Sequence, residues 1–542
     1  MRPVNVPARP ALLLAALLSP AAPLLTGTLL SGTAHAGTFA FPAVLPRKAD
    51  GWYALGVQAT RAGDPGAAAR AFAQAAALNP TAANWRALAD AYVALGDYTS
   101  ATDAYTRAAA RYRAQGDGVT ARALEYKAAP YRQTIDVRLV TAQTGSTQPR
   151  LARLEPARGI LLGAYAPELS VTGVPPRLSP ERQDFAVIFR YWDLKPSRSP
   201  DVIFPHRHAQ AARTHGQALH IALEPAVPLR QVTDAMLSAF AKETAKAGLP
   251  VFVRFAAEMN DPQNEWSRDP ALYRSTFQRL ARALHQHAPN AATVWMPMPG
   301  DLTKIGRYYP GPDAVDWAGL SLYSLPFENG NVRAPRLNAH PLDLVDGFYA
   351  RYAPAHPIQL SEYAASHRSG AAASQDHSDF AARQLREVYW GAWIRYPRLK
   401  NINWLDLNML TGEANGKSAA RRNDYRLFAS PAKWQAFQDL RTINAFQRRF
   451  QKACLTCTVS TATPWPARVP AHTDLSGVLW LQTATPPARV QVTVNGQDIP
   501  TAPTLPHTFR FQATPGTHRL TVTAYSASGQ LMLRTEKTFQ AQ

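Results

Sequence analysis

Two glutamates in this sequence each follow a short apolar run. Glu258 follows Val251–Ala257, and Glu362 closes the run that begins at Pro357. A carboxylate that is buried in such surroundings without a partner or a task costs several kcal/mol. Two carboxylates can hydrolyse a glycosidic bond, because one protonates the leaving oxygen while the other attacks the anomeric carbon or activates water. Glu258 and Glu362 are therefore candidates for a catalytic pair.

The elements that would position this pair are short apolar runs that alternate with helical patterns between residues 155 and 450. Near-continuous apolar strands indicate burial on both faces, as in a parallel sheet covered by helices. Eight such units predict a (β/α)₈ barrel, whose strands four and seven end at Glu258 and Glu362. The runs are Gly159–Tyr165, Phe185–Trp192, Ala218–Glu224, Val251–Glu258, Ala292–Met298, Val315–Tyr323, Pro357–Tyr363 and Asn401–Asn408. The helical patterns include Val232–Ala247, Pro270–His287, Asp343–Tyr352, Phe380–Tyr396 and Pro431–Arg449.

The fourth strand carries a longer motif. It reads Arg254-Phe-Ala-Ala-Glu258-Met-Asn260, and Trp266 follows. This motif is similar to the acid/base motif of glycoside hydrolase family 26, the β-mannanase family of a retaining clan built on the (β/α)₈ barrel. The resemblance implies that Glu258 is the acid/base and that Asn260 and Trp266 bind substrate. Ala257 stands where the mannanases have His, so the identity of the sugar stays open.

The sixth and seventh strands extend this resemblance. Val315-Asp-Trp-Ala-Gly-Leu-Ser-Leu-Tyr323 resembles the sixth strand of family 26, and Pro357-Ile-Gln-Leu-Ser-Glu362 resembles its nucleophile strand. The resemblance implies that Glu362 is the nucleophile and that Tyr323 contacts it. The motifs together cover residues 159–406.

Further side chains at strand ends could bind substrate. Arg254 shares strand parity with Glu258 and is expected to point into the barrel, either to bond the nucleophile or to form a structural ion pair. Asp406 is a third strand-end carboxylate and the substitute if Glu362 is not catalytic. The other candidates, each with packing or a structural contact as the alternative role, are Glu224, Trp192, Trp266 and Trp404.

The N-terminus predicts export. Arg2 and Arg9 precede apolar stretches, and Ala34-His-Ala36 offers the small-x-small pattern of a signal-peptidase site. Residues 1–36 are therefore predicted to be a secretory signal, which gives a secreted, periplasmic or cell-envelope location. No later stretch is apolar enough to span a bilayer, so no transmembrane anchor is expected after cleavage.

Residues 45–133 contain an internal repeat. Trp52 and Trp85 are 33 positions apart, and the segment from Trp85 to Tyr92 approximates the opening of a tetratricopeptide repeat. Such repeats are paired helices, which would form either a docking surface for a protein partner or a structural cap.

The chain after the barrel has three predicted parts. Cys454 and Cys457 are the only cysteines, and in an oxidising compartment they predict a short local disulfide. The Thr- and Pro-rich segment 458–470 predicts a mobile linker. Alternating strands over 471–542 predict a small immunoglobulin-like β-sandwich that acts as a spacer or binds carbohydrate.

The formal net charge is +20. This excess favours acidic partners such as anionic polysaccharide, unless it is simply spread evenly over the surface. Nucleic acid is not expected without a recognisable binding module, and the reaction needs no cofactor or metal. The sequence thus predicts an exported, retaining glycoside hydrolase that cleaves β-linked polysaccharide. The alternative is a catalytically silent, polysaccharide-binding barrel that serves as an envelope or exopolysaccharide scaffold through its repeats.

Overall fold

The described part of this computed structural model comprises residues 39–170, 177–411, 419–450 and 457–542. The predicted signal peptide and Cys454 lie outside these residues. Within them, no helix combines the length and the apolar character needed to cross a membrane.

Helices precede the barrel, and consecutive helices pack on one another. Asp64, Asp97 and Asp117 cap three of them, because each carboxylate accepts a hydrogen bond from the N–H three residues later. The packing is close: a Cβ on Gly56 would lie 2.6 Å from the ring of Phe72. The predicted helical segment is confirmed, while its assignment to tetratricopeptide repeats stays a prediction. The helices are Ala49–Arg61, Pro65–Leu78, Ala82–Leu95, Tyr98–Ala114 and Gly118–Ala128.

Eight parallel strands form the barrel. They are β1 (Ile160–Tyr165), β2 (Val187–Leu194), β3 (Ala218–Pro225), β4 (Val251–Phe255), β5 (Ala291–Trp295), β6 (Trp317–Ser324), β7 (Ile358–Ala365) and β8 (Leu399–Trp404). β8 pairs with both β7 and β1, so the barrel is closed. Side chains alternate between the barrel interior and the layer under the helices, which is why almost every strand residue is buried. The predicted (β/α)₈ barrel is confirmed.

Helices cover the outside of the barrel, but the last one is shorter than predicted. It ends at Gln438 instead of Arg449, and Phe446–Gln447 then pairs in parallel with β1. This pairing gives the start of β1 a backbone partner, since the N–H of Ile160 donates to the carbonyl of Ala445 at 2.9 Å. The helices are Pro200–Ile203, His206–Thr214, Asp234–Ala245, Pro270–His287, Leu302–Gly306, Asp343–Tyr352, Ser378–Arg395 and Pro431–Gln438.

Two β-sheets follow the barrel and share one apolar core. The first sheet includes Thr134–Gln143, which precedes the barrel in the chain. Val137 and Leu479 from this sheet pack with Val522 and Phe539 from the other. The β-rich C-terminal part is therefore observed, while its immunoglobulin-like character stays a prediction. The strands are Val459–Pro464, Arg468–Val469, Asp474–Gln482, Arg489–Val494, Gln497–Ile499, His507–Gln512, Gly516–Tyr525 and Leu531–Ala541.

The segment predicted as a linker, 458–470, is instead paired: Val459–Pro464 belongs to the first sheet and Arg468–Val469 to the second. Val459–Pro464 pairs antiparallel with Thr134–Gln143, and Trp465 stacks on the ring of Phe509 at 5.9 Å. The Thr and Pro content suggested a linker, but β-branched residues also favour a strand once a partner is present. That partner comes from a part of the chain more than 300 residues away.

The first sheet rests on the barrel's helices. Trp480 is fully buried and lies edge-on to His340 at 5.0 Å. The side chain of Gln482 donates to Asp343 at 3.0 Å, and Arg132 from the chain before the barrel lies 3.6 Å from the same carboxylate. Asp343 thus joins three parts of the molecule.

Candidate active site

Glu258 lies in the loop that leaves β4, and its backbone is unusual. Ala256 and Glu258 have φ angles of 43° and 54°, in the left-handed region that non-glycine residues seldom adopt. The surroundings hold this conformation: the N–H of Glu258 donates to the carbonyl of Met296 at 2.8 Å, and Asn264 donates to the carbonyl of Glu258 at 2.9 Å. Such backbone strain persists only where the surrounding structure stabilises it, and it is concentrated at functional sites.

Glu362 lies on β7, fully buried, and both of its carboxylate oxygens are hydrogen-bonded. Arg254 Nη1 donates to Oε2 at 2.6 Å. Tyr191 donates its hydroxyl to Oε1 at 3.0 Å, and Tyr323 donates to the same oxygen. Two predicted contacts are therefore present, one between Arg254 and Glu362 and one between Tyr323 and Glu362.

The electrostatics of the donors fit this arrangement. Burial raises the pKa of Tyr191 and of Tyr323 well above the ordinary phenol value, and the negative charge of Glu362 raises both further. Both hydroxyls therefore stay protonated at any working pH. Burial, the largest single cause, would lower the pKa of Arg254, but Glu362, Tyr191 and Glu224 together outweigh burial and raise it above its usual value. The guanidinium also lies over the ring of Phe189, 4.8 Å from its centroid, so the ion pair is shielded from water.

Glu224, at the end of β3, lies close to this cluster. Its charge adds to the causes that raise the pKa values of Tyr191 and Arg254. Its side chain is half-buried, unlike that of Glu362. Glu224 is therefore the second carboxylate near Arg254.

A cleft opens beside Glu258. Its volume is about 770 Å³ when the solvent at its mouth is included. Glu258 and Tyr323 line it, whereas Glu362 does not. The ring of Tyr323 therefore connects the cleft with the buried carboxylate. The remaining wall comes from β6, from the loops after β5 and β6, and from the helices Asp343–Tyr352 and Ser378–Arg395.

Two tryptophans predicted to bind sugar lie in the packed core. Trp404 is fully buried and donates its indole N–H to the carbonyl of Tyr425 at 2.9 Å. It shares outward parity with Ile402, so it faces the helices and not the barrel mouth. Trp266 is also buried and donates to the carbonyl of Ala257 at 2.7 Å. It thus fixes the loop that carries Glu258 instead of offering a face to substrate.

Trp192 and Asn260 also have structural partners. The indole N–H of Trp192 donates to the carbonyl of Val202 at 3.1 Å. The side-chain amide of Asn260 makes two bonds with the backbone of Met298, at 2.9 and 2.8 Å. These bonds join the loop after β4 to the loop after β5. They give Asn260 a structural role that does not depend on substrate.

Asp406, the substitute carboxylate, is also engaged. It is buried and forms an ion pair with Arg182, and it accepts a hydrogen bond from the N–H of Leu427. A carboxylate held by a buried arginine and a backbone N–H is accounted for structurally. The structure therefore gives no reason to prefer Asp406 over Glu362.

Tyr191 is the important residue that the sequence analysis missed. On β2, Val187, Phe189 and Tyr191 alternate toward the barrel interior, where Val187 and Phe189 belong to buried clusters. Strand parity alone could have placed the hydroxyl of Tyr191 among the inward-pointing groups. Its partner on β7 could not be found in this way, because the contact spans 171 positions in the chain.

Two smaller expectations concern the cysteines and metals. Cys457 is disulfide-bonded, and its predicted partner Cys454 lies outside the described residues. Across the described ranges, no group of three or more His, Cys, Asp or Glu side chains is arranged to hold a metal ion.

Comparison with known proteins finds similarity in structure only. No family profile and no curated protein matches the chain. An endo-β-1,4-mannanase double mutant from Cellulomonas fimi is 16% identical and has a TM-score of 0.39, with 71% of this chain and 94% of that one covered. The catalytic domain of a family 26 endo-β-1,4-mannanase from Bacillus sp. JAMB-750 is 15% identical, with a TM-score of 0.38 and coverage of 56% and 93%.

A β-glucuronidase from Bacteroides uniformis is 12% identical and has a TM-score of 0.36. The alignment covers 74% of this chain but only 48% of the glucuronidase. Likenesses at these levels do not assign an activity to this chain.

Proposed function

We propose that this protein is a glycoside hydrolase that cleaves β-linked polysaccharide, with Glu258 as acid/base and Glu362 as nucleophile. The observation that carries the proposal is the environment of Glu362. Glu362 is buried on β7, and Arg254 and two phenols donate to its oxygens, so these donors complement the charge that a nucleophilic carboxylate carries. Glu258, in the loop after β4, lines the adjacent cleft, where it can reach a leaving oxygen.

In the proposed reaction Glu258 gives its proton to the glycosidic oxygen while Glu362 attacks the anomeric carbon. The bond to the leaving sugar breaks and a glycosyl ester forms on Glu362. Glu258, now ionised, takes a proton from water, which attacks the ester and releases Glu362. The overall reaction consumes one water and retains the anomeric configuration. Proton NMR of the first product formed would test retention directly.

Export to the cell envelope and a protein partner for the N-terminal helices belong to the same proposal. The signal pattern of residues 1–36 supports export, and the helical segment before the barrel provides a surface on which a partner could dock. The sugar is not specified by these features. A substrate with anionic groups has only the net charge of +20 in its favour.

The second candidate function is polysaccharide binding without catalysis. The observation that favours it is the complete burial of Glu362, which does not line the cleft. Tyr323, whose hydroxyl donates to this carboxylate, lines the cleft in its place. A protein that only binds sugar would keep this arrangement closed.

A panel of β-glucans, β-mannans and amino-sugar polymers distinguishes the two functions. Release of reducing ends from at least one polymer by the unaltered protein, with loss of activity in Glu258→Gln, is the expected result. Binding to a polymer without any release of reducing ends by either protein would favour the second candidate.

A further inference from the structure

We propose that Asn403 is a positioning residue for Glu362, because its side-chain amide supports the point at which β7 turns this carboxylate into the barrel. The inference rests on the proposed function and adds to it a residue that controls the geometry of the nucleophile. Asn403 lies on β8, is fully buried and does not line the cleft. It therefore acts through the backbone of β7 and not on substrate.

The side chains of β7 do not alternate regularly. Leu360 and Tyr363 both pack outward, in the core under the helices, although two residues and not one separate them. Both intervening side chains face the interior. Ser361 does so because a Cβ on Gly319 of β6 would overlap its hydroxyl, and Glu362 does so because its three donors lie there. Two successive inward side chains are not compatible with a regular strand, in which neighbours point to opposite faces.

The pairing of β7 with its neighbours locates this irregularity. On the β6 side, the register skips Ser361 between Leu360 and Glu362. On the β8 side, Asn403 alone lies opposite Ser361 and Glu362 together. One extra residue in a strand is a β-bulge, which redirects side chains and is frequent next to active sites. The bulge therefore turns Glu362 toward its donors.

Asn403 fills the space beside this bulge. Its Nδ2 donates to the carbonyl of Ser361 at 3.3 Å, which gives the bulged backbone a partner. Its Oδ1 lies on the opposite side, against β1, where a Cβ on Gly163 would overlap it. Glycine at position 163 thus allows the amide to fit between β1 and β7. Because buried backbone carbonyls need hydrogen-bond partners, loss of the amide should let the bulge shift and Glu362 with it.

Crystal structures test this geometry without any assay of activity. In Asn403→Ala the bulge is expected to move, which displaces the carboxylate of Glu362 from Arg254 and Tyr191. The Nη1–Oε2 and hydroxyl–Oε1 distances, 2.6 and 3.0 Å in the unaltered protein, should lengthen by about 0.5 Å or more. Asn403→Ser, which keeps a polar side chain but lacks the amide, takes its place with the same expectation if Asn403→Ala does not fold.

Asn401→Ala is the matched control. Asn401 lies two positions earlier on β8 and is also buried. Its Nδ2 donates to the carbonyl of Leu161 on β1 at 3.4 Å, so it does not support the bulge. On β7 it pairs with Gln359, before the bulge begins. This variant loses the same buried amide, but both distances at Glu362 should stay unchanged.

Kinetics on a substrate from the polysaccharide panel test the consequence for catalysis. Asn403→Ala should lower kcat about tenfold or more while KM changes little, because a misplaced nucleophile slows the chemical step and leaves the cleft intact. Asn401→Ala should keep both constants. A purely structural role of Asn403 would lower the melting temperature of both variants without this selective loss of kcat.

Unchanged distances in Asn403→Ala, changed distances without a fall in kcat, or the same changes in Asn401→Ala would overturn the inference. Unchanged distances in a protein that does cleave a polymer would overturn the inference alone. Displacement of Glu362 in Asn403→Ala, when the unaltered protein cleaves none of the polymers, would overturn only the proposed function.

Discussion

At the scale of single residues, the site is organised around one carboxylate with three donors. Two phenols share Oε1 of Glu362, while Arg254 holds Oε2. Hydrogen bonds to a charged group contribute about 1.5–3 kcal/mol each. Because Tyr323 lines the cleft and Tyr191 does not, the two phenols are not equivalent. Tyr323 is the phenol that a sugar in the cleft can contact, while Tyr191 donates to the carboxylate without lining the cleft.

Tyr191→Phe should therefore impair turnover. The variant loses a donor to Oε1 of Glu362, and with it part of the stabilisation that holds this carboxylate in place. We expect kcat/KM to fall about tenfold or more, because a hydrogen bond to a charged group contributes about 1.5–3 kcal/mol. Tyr165→Phe is the control, since the ring of Tyr165 lies 5.8 Å from that of Tyr191 but, among the described residues, its hydroxyl does not donate to Glu362. Unchanged kcat/KM in Tyr191→Phe would remove Tyr191 from this role.

A second residue prediction concerns the loop that holds Glu258. Trp266→Phe keeps most of the buried ring but removes the N–H that donates to the carbonyl of Ala257. We expect kcat to fall about tenfold or more with little change in KM, because positioning errors near 1 Å are costly. The melting temperature should fall only slightly. A rise in KM at constant kcat would instead indicate that Trp266 binds substrate.

At the scale of elements, strand periodicity predicted most of the barrel. The apolar runs locate all eight strands, whereas the two glutamates lie near the expected strand ends: Glu258 in the loop after β4 and Glu362 within β7. Strand parity predicts that Arg254 points into the barrel, where it bonds Glu362. The same rule gives the outward position of Trp404, which packs under the helices. Contacts between distant strands, such as that between Tyr191 and Glu362, could not be read from a local pattern.

The strand Val459–Pro464 also depends on a contact with a distant part of the chain that a local pattern does not reveal. Its composition suggested a linker, and only its partner Thr134–Gln143 makes it a strand. Limited digestion of the folded protein with proteinase K should therefore leave 459–464 intact while exposed loops are cut. Substitution of Thr461 by Pro, in the middle of the pairing, should make the segment susceptible. Early cleavage within 459–464 in the unaltered protein would contradict this account.

At the scale of the whole molecule, Asp343 connects the helical segment, the barrel and the first C-terminal sheet. Burial raises the pKa of its carboxyl to about 6, although Gln482 and Arg132 act in the opposite direction. In the unfolded chain an Asp titrates near pH 3.9. Between these values the folded state binds the proton and the unfolded state does not, so stability falls as pH rises from about 4 to about 6.

Asp343→Asn removes this titration. The unaltered protein should lose up to about 3 kcal/mol through this group across that window, while the variant should not. The measurement is the difference in free energy of unfolding between the two proteins at pH 4.5 and 6.5. A difference that stays constant with pH would mean that the carboxyl does not titrate in this range.

We propose that Glu362 is the nucleophile of a retaining glycosidase, and azide rescue tests this proposal most directly. On the best substrate from the polysaccharide panel or its aryl glycoside, Glu362→Ala should lose about three orders of magnitude in kcat or more. Added azide should restore turnover and yield a glycosyl azide of inverted configuration, because azide fills the space of the lost carboxylate. Asp406→Ala, which removes the carboxylate paired with Arg182, should show no such rescue. Wild-type turnover by Glu362→Ala, on a substrate that the unaltered protein cleaves, would contradict the account.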